Sequence, residues 1–141
     1  MDNMVPITIS KDGEWYYGNS RMFRLDIVTL LANHLEKDEN GNYHIIYQEQ
    51  VYPVTVEETP FFARRLLSVN AESLILQLAD GRTETISAQS LVVNNNIPYG
   101  EFKWAHDTKF SRQALWDLSD YMEEGTDGQV MLKLKDKAYR L

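Results

Sequence analysis

The chain has no cysteine, which removes disulfides, thiolate metal sites and thiol nucleophiles together. It has no apolar run approaching the roughly 20 residues that a membrane helix needs, so no membrane partner is expected. Positive charge is in deficit. Fourteen basic side chains against 21 acidic ones leave a net charge of −7, the wrong sign for steering the molecule toward nucleic acid or anionic lipid. A local basic patch can still bind a small anion. The opening stretch Met1–Ser10 shows neither a basic patch followed by an apolar core nor a small-residue cleavage site, and a cytoplasmic location is the expectation. Only three histidines occur, His34, His44 and His106, and no pair has the spacing that places two imidazoles on one metal. Asp38, Asn40 and Asn42 imitate the start of a calcium loop, but Tyr43 stands where that loop requires glycine and its closing glutamate is missing. GxSxG, P-loop and GxGxxG motifs are all lacking, so hydrolase, NTPase and dinucleotide-enzyme readings have no warrant. No catalytic residue, metal or cofactor is expected.

What is present is a globule's composition. Hydrophobic residues make up 43% of the 141, with eight tyrosines and three tryptophans, and a domain of this size buries roughly two-thirds of its unfolded surface. Ile7–Ile9 and Glu14–Tyr17 read as short strands around the turn Asp12-Gly13. Ile27, Val28, Leu31 and Leu35 recur on one face of a helix spanning about Met22–Lys37. Strands follow at Tyr43–Tyr47 and Tyr52–Val56 by their alternation. Phe61–Val69, Ser73–Leu78 and Arg82–Ser87 form an antiparallel section, its last two strands joined at Asp80-Gly81, a dipeptide that favours a type I′ turn. A strand near Tyr99–Trp104, a helix at about Ser111–Glu124 and strands in Gln129–Leu134 and Lys137–Leu141 complete the chain.

The last elements repeat the order of the first, and an offset of 87 residues aligns them without a gap. Gly13-Glu14-Trp15 falls on Gly100-Glu101-Phe102, Phe23 on Phe110, Leu31 on Leu118, Gly41 on Gly128 and Tyr52 on Tyr139. Ile27, Val28, Leu31 and Leu35 fall on Ala114, Leu115, Leu118 and Met122. The fold class expected is therefore α+β: internally duplicated strand–helix–strand–strand units, Gly13–Pro53 and Gly100–Arg140, separated by the antiparallel section. Residues 1–57 are taken as an N-terminal repeat subdomain, and residues 58–141 as a β-rich subdomain ending in the second repeat. Neither unit has enough elements to cover its own apolar face, so a site is expected between the repeats.

Three stretches carry a family likeness: Asp12-Gly13-Glu14-Trp15, then the Arg24-led helix with its acidic-glycine turn, then Val56-Glu57-Glu58-Thr59-Pro60-Phe61. Together they resemble the N-terminal pattern of a bacterial family, domain of unknown function 1285. The resemblance implies a two-part fold built by duplication, with a second part loosely like a pleckstrin-homology barrel. It also implies a nucleotide-like ligand between the parts and a role in signalling.

The residues themselves offer several candidates. Lys133, Lys135 and Lys137 share one parity and would line a terminal strand, either as point charges for a phosphate or as lysines that protect a sheet edge. Trp15, Tyr16 and Tyr17 are consecutive, so a strand must turn at least one ring outward. Trp116 lies beside the apolar helix face, where it stacks on a ligand or packs against protein. Arg24 opposes the macrodipole at a helix start, which points to an anion clamp, with Glu57 or Glu58 as an intramolecular partner, or to a solvated surface arginine. Glu58 follows Tyr52, Val54 and Val56 on the apolar parity, and Arg65 shares a face with Phe61, Ala63, Leu67 and Val69, so the two pair with each other or with a ligand. The reading is a non-enzymatic module that binds a small, nucleotide-like or phosphorylated ligand, or serves regulation. Its site residues are Arg24, Glu58, Arg65, Trp15, Lys133 and Lys135. The alternative is a protein-interaction or homodimerisation domain.

Overall fold

The computed structural model describes residues 5–141; Met1–Met4, on which part of the leader-peptide reading rests, lie outside them. The fold is α+β, mostly strand with two helices, and the chain divides into two compact units after Pro60.

In the first unit, β1 (Ile7–Ile9), β2 (Trp15–Tyr17), β3 (Ser20–Arg21), β4 (Leu35–Lys37), β5 (Tyr43–Tyr47) and β6 (Gln50–Val56) form one sheet in the order β3-β2-β1-β6-β5-β4. The pairing is antiparallel except where β1 runs parallel to β6, Ile7 beside Val54. Helix α1 (Leu25–Ala32) connects β3 to β4. Ile7, Ile9, Trp15, Val28, Ala32, Leu35, Ile45 and Val54 are buried.

In the second unit, β7 (Phe61–Val69), β8 (Ser73–Leu78) and β9 (Thr83–Ser87) form the expected meander. A 3-10 turn at Ala88–Ser90 leads to β10 (Val92–Asn94), β11 (Ile97–Gly100) and β12 (Thr108–Phe110). These six strands form a sheet ordered β10-β11-β12-β7-β8-β9, again with one parallel junction, β12 to β7. The two six-stranded sheets thus resemble each other, each being two antiparallel three-stranded sets joined in parallel. Helix α2 (Arg112–Ser119) and a three-stranded sheet of β13 (Met122–Glu124), β14 (Val130–Leu134) and β15 (Lys137–Arg140) complete the unit.

The 87-residue offset holds for element starts: α1, β4, β5 and β6 begin at 25, 35, 43 and 50, and α2, β13, β14 and β15 at 112, 122, 130 and 137. Pairing register follows the same offset, Leu35 opposite Ile45 and Met122 opposite Leu132. Both helices are shorter than their periodicity suggests. The α1 helix ends at Ala32, with Asn33 and His34 closing the last turn by donating to Thr29 and Leu31 carbonyls, and Leu35 is fully buried as a strand residue. An apolar residue eight positions along satisfies the helical stripe and the start of a strand equally, and the cross-strand partner Ile45 decides. Met122 leaves α2 for β13 in the same way, and Ile27, counted on the buried face of α1, is exposed.

One loop recurs. Ser10–Glu14, Asp38–Asn42, Leu78–Arg82 and Gly125–Gln129 each close with the fourth residue donating to the first carbonyl and the first donating to the fifth. The fourth residue is always a glycine in the left-handed region, Gly13, Gly41, Gly81 and Gly128. Asp80-Gly81 is accordingly a three-residue loop with a glycine bulge, not the two-residue type I′ turn its dipeptide suggests. The β5–β6 connection, by contrast, places Gln48 and Glu49 at φ of 52° and 66° between paired Tyr47 and Gln50, a type I′ turn without glycine.

Backbone conformation at these turns is testable. Glu49→Gly relieves left-handed strain of about 1–2 kcal/mol while adding about 0.5–1 kcal/mol of unfolded-chain entropy, so a stability gain of up to about 1 kcal/mol is expected in urea denaturation. An added Cβ at Gly41 meets no atom within 4 Å. Gly41→Ala therefore carries only the backbone cost and should lower stability by about 1–2 kcal/mol.

Candidate functional site

Helix α2 starts at a well-made cap: Ser111 Oγ accepts from the Ala114 N–H at 3.0 Å, satisfying a donor that the helix cannot. The same hydroxyl donates to the Arg64 carbonyl at 2.9 Å, and the Ser111 N–H donates to the Ala63 carbonyl at 2.9 Å, so the cap also anchors the helix to β7. Ala114 and Leu118, four apart, are fully buried. On the flank, Asp117 accepts from Arg65 Nε at 2.9 Å, Arg65 Nη2 at 3.2 Å and the Leu66 N–H at 3.0 Å.

With that face committed to β7, the opposite one is open. Arg112, Leu115, Trp116 and Ser119, with Met122 of β13, line a groove of about 640 Å³. Trp116 stands 64% exposed at its centre. Arg112, one turn before it on the same side, makes no ion pair among the described residues. Ser119 Oγ donates to the Trp116 carbonyl at 2.6 Å, which occupies the hydroxyl. The groove thus offers an aromatic face, two aliphatic side chains and one permanent cation. It offers no group that takes up or releases a proton at neutral pH.

Two other clusters in the second unit are internally satisfied. Arg82 lies over the Phe61 and Phe102 rings at 5.3 and 5.4 Å and donates to buried Asp80, Nη2 to Oδ2 at 2.9 Å; Trp104 stacks on Phe61 at 5.9 Å. Buried Asp107 accepts from the N–H groups of Phe102, Lys103 and Trp104 at 2.7–2.8 Å and from Thr108 Oγ1 at 3.0 Å, holding this loop against the rings. A polar cleft of about 440 Å³, lined by Glu72, Ser87, Gln89, Lys137, Ala138 and Tyr139, is bridged by the Lys137–Glu72 ion pair. Tyr139 Oη donates to the Ala71 carbonyl at 2.8 Å. Among the described residues no group of three or more His, Asp or Glu could hold a metal ion, and no helix is long and apolar enough to cross a membrane.

The residues singled out from sequence fall in both units, Trp15, Arg24 and Glu58 in the first and Arg65, Lys133 and Lys135 in the second. Trp15 is buried in the first unit's core and Tyr17 is the ring turned outward. Arg24 sits at the α1 N-cap and pairs with Asp26 of the first turn at 2.8 Å, both side chains exposed; Asp26 answers the unfavourable cation, in place of Glu57 or Glu58. Glu57 accepts from the Lys11 N–H. Glu58 is exposed, because β6 ends at Val56 and the pleat that would have buried it stops there. Arg65 is also exposed, since register shifts between Ala63 and Arg65 and between Leu66 and Ser68 move β7's buried parity onto Leu66. Bulges re-aim side chains in this way. Lys133, Lys135 and Lys137 do not share a strand face: Lys133 is in β14 and pairs with Glu123, Lys135 turns the hairpin at φ 52°, and Lys137 opens β15. Of the groove, the sequence pattern singles out Trp116 alone. Arg112, Trp116, Ser119 and Met122 recur at three- and four-residue steps, a signal hidden because extending the helix to Glu124 puts Met122 on its buried face.

Residues 1–59 match the model of "Domain of unknown function (DUF1285), N-terminal domain". A crystallised DUF1285 family protein from Silicibacter pomeroyi DSS-3 has the same fold, with a TM-score of 0.73 at 18% identity over 97% of this chain and 79% of that one. A second, from Shewanella baltica OS155, gives 0.71 at 15% identity over 84% of this chain and 94% of that one. No curated protein matches the sequence. The chain is thus DUF1285-like, as its motifs suggest, and the α2 groove lies beyond the residues that the family model matches.

Two carboxylates provide tests. The Arg65 guanidinium holds the Asp117 carboxyl below the ordinary carboxylate range, the Leu66 N–H and the Gln113 amide adding to the effect and burial opposing it. A depressed folded pKa means stability present above the unfolded value of about 3.9 and lost as pH falls through the folded one. Asp117→Asn should therefore unfold more readily at pH 7, by about 1.5–3 kcal/mol, and the gap from wild type should narrow below about pH 4 in pH-dependent denaturation. Asp107→Ala leaves three N–H donors without their acceptor and should cost about 3 kcal/mol, with Trp104 emission shifting to longer wavelength.

Proposed function

We propose that the protein is a non-enzymatic binding module whose site is the α2 groove, and that its ligand is a small amphipathic anion: a flat or aliphatic body bearing a phosphate or carboxylate. Nucleotide-like molecules belong to this class. The observation that carries the reading is the exposed Trp116 ring beside the unpaired Arg112. An exposed indole is costly to leave in water, and an arginine is suited to bidentate capture of an oxyanion. The volume and the mostly apolar lining with few polar groups are those of a small-molecule site. Binding is favoured over chemistry because the one charged group is a guanidinium, which holds an anion but does not exchange protons at neutral pH.

The common 87-residue offset is read as an internal duplication. On that reading Thr29 stands where Trp116 stands, and Leu25 where Arg112 stands, so the groove belongs to the second unit alone. The first unit supports a second reading, as a protein-interaction domain, because Phe23, Leu25, Ile27 and Leu30 are all exposed there.

A thermal-shift screen with nucleoside phosphates, aryl phosphates and acyl carboxylates tests the groove, since a ligand of the native state alone raises the melting temperature. Stacking on an aromatic ring contributes about 1–3 kcal/mol, so Trp116→Ala should weaken a hit by about 5- to 150-fold, with Arg112→Gln weakening it for anions but not for neutral analogues. No shift from any class at millimolar concentration would reject the reading.

A further inference from the structure

The outer face of α1 has a counterpart in the chain whose covering is visible. In the second unit, β12 runs into α2, and β7 lies against both: Phe110 of β12 is buried beside Ala63, Ala114 is fully buried, and Asp117 holds Arg65 and the Leu66 N–H. Moving back 87 positions gives Phe23, Ile27 and Leu30. These are 77%, 37% and 39% exposed, with Leu25 exposed beside them. The Arg21 guanidinium lies over the Phe23 ring at 4.9 Å, and the Arg24–Asp26 pair stands at the rim. An apolar patch rimmed by charge in this way is a binding surface more often than an accident.

The sheet edge is open at the same place. The counterpart of β12 is residues 21–23, which continue β3, and β3 is the terminal strand of its sheet among the described residues. In the second unit the equivalent strand has β11 on one side and β7 on the other. The first unit therefore has the helix and the pairing edge but lacks the strand that rests on both.

We propose that this edge and the Phe23–Ile27–Leu30 face take an extended segment of a partner protein, added parallel to residues 21–23 as β7 is added parallel to β12. Main-chain pairing with the edge supplies affinity and alternate side chains supply selection. The fitting segment places a large apolar residue, a small one and a second apolar one along its buried side, as Phe61, Ala63 and Leu66 do in β7. A second copy of this chain fits less well: a two-fold axis through the edge pairs β3 with β3 antiparallel, whereas the covered counterpart is parallel.

The test uses the full chain and a fluorescein-labelled peptide of the β7 sequence, Phe-Phe-Ala-Arg-Arg-Leu-Leu-Ser-Val, with a scrambled peptide as control. Binding is read by anisotropy and location by amide hydrogen exchange. The expected result is saturable binding of the ordered peptide, new protection at residues 20–23, and at least tenfold weaker binding by Phe23→Ser and by Ile27→Asp. Both positions are exposed, so the variants should keep wild-type melting temperatures, which is measured alongside. Four results would overturn the proposal: no binding at millimolar peptide, equal binding of the scrambled peptide, protection at Thr108–Phe110 from displacement of β7, or dimerisation of the chain that Ile27→Asp abolishes.

Discussion

The orientation of α2 depends on Asp117. Its carboxylate holds the β7 arginine and a β7 backbone donor together, and it can do so because the bulge after Ala63 turns Arg65 out of the buried parity. An unbulged strand would send Arg65 inward and leave the helix a bare backbone edge. Once this contact and the Ser111 cap set the rotation of the helix, Ala114 and Leu118 must face the sheet and Trp116 must face away. The groove is thus a consequence of how its helix is anchored, and its lining makes no contribution to the anchoring that the structure shows.

The two units solve the covering of a helix differently. In the second, β7 supplies both a sheet neighbour for β12 and a lid for α2. In the first, no strand among the described residues pairs with the outer edge of β3, and the side chains 87 positions back are larger and more apolar: Ile27 against Ala114, Leu30 against Asp117. Apolar bulk left in water at a free strand edge is a liability unless something covers it. A buried alanine and a hydrogen-bonded aspartate, by contrast, are what a permanently covered face requires, since close approach and satisfied donors are both needed there.

The longer strands were legible, because alternation and glycine punctuation report directly on a pleated chain. Strands β3, β4, β10, β12 and β13, of two or three residues, are too short to alternate and were not, and the strand expected near Tyr99–Trp104 is Ile97–Gly100. Phe61–Val69 and Ser73–Leu78 are found with their expected ends. Helix ends were not legible: Leu35 and Met122 continue a helical stripe, yet each pairs across a strand instead. Glu58, Arg65 and the terminal lysines were placed by strand parity, and the structure moves each of them. Parity fails when a strand stops, as before Glu58, when it bulges, as at Arg65, or when it turns, as at Lys135. Arg24 was correctly marked as breaking a local rule, and its partner proved to be two residues away. Of the groove, only Trp116 was visible beforehand, as an aromatic off the apolar face.

The sequence by itself determined the longer strands, the presence of two helices, the positions of the glycine turns, the repeated spacing and the family likeness, since these follow from local periodicity and from backbone conformations that few residues adopt. Tertiary structure alone decided which side chains meet: that Asp117 finds Arg65 across more than fifty residues, that Asp107 gathers three amides, and that Trp116 and Arg112 share an open groove. Pairings of that kind depend on register, bulges and helix rotation, which are set by burial summed over the whole unit and leave no mark in any single stretch of chain.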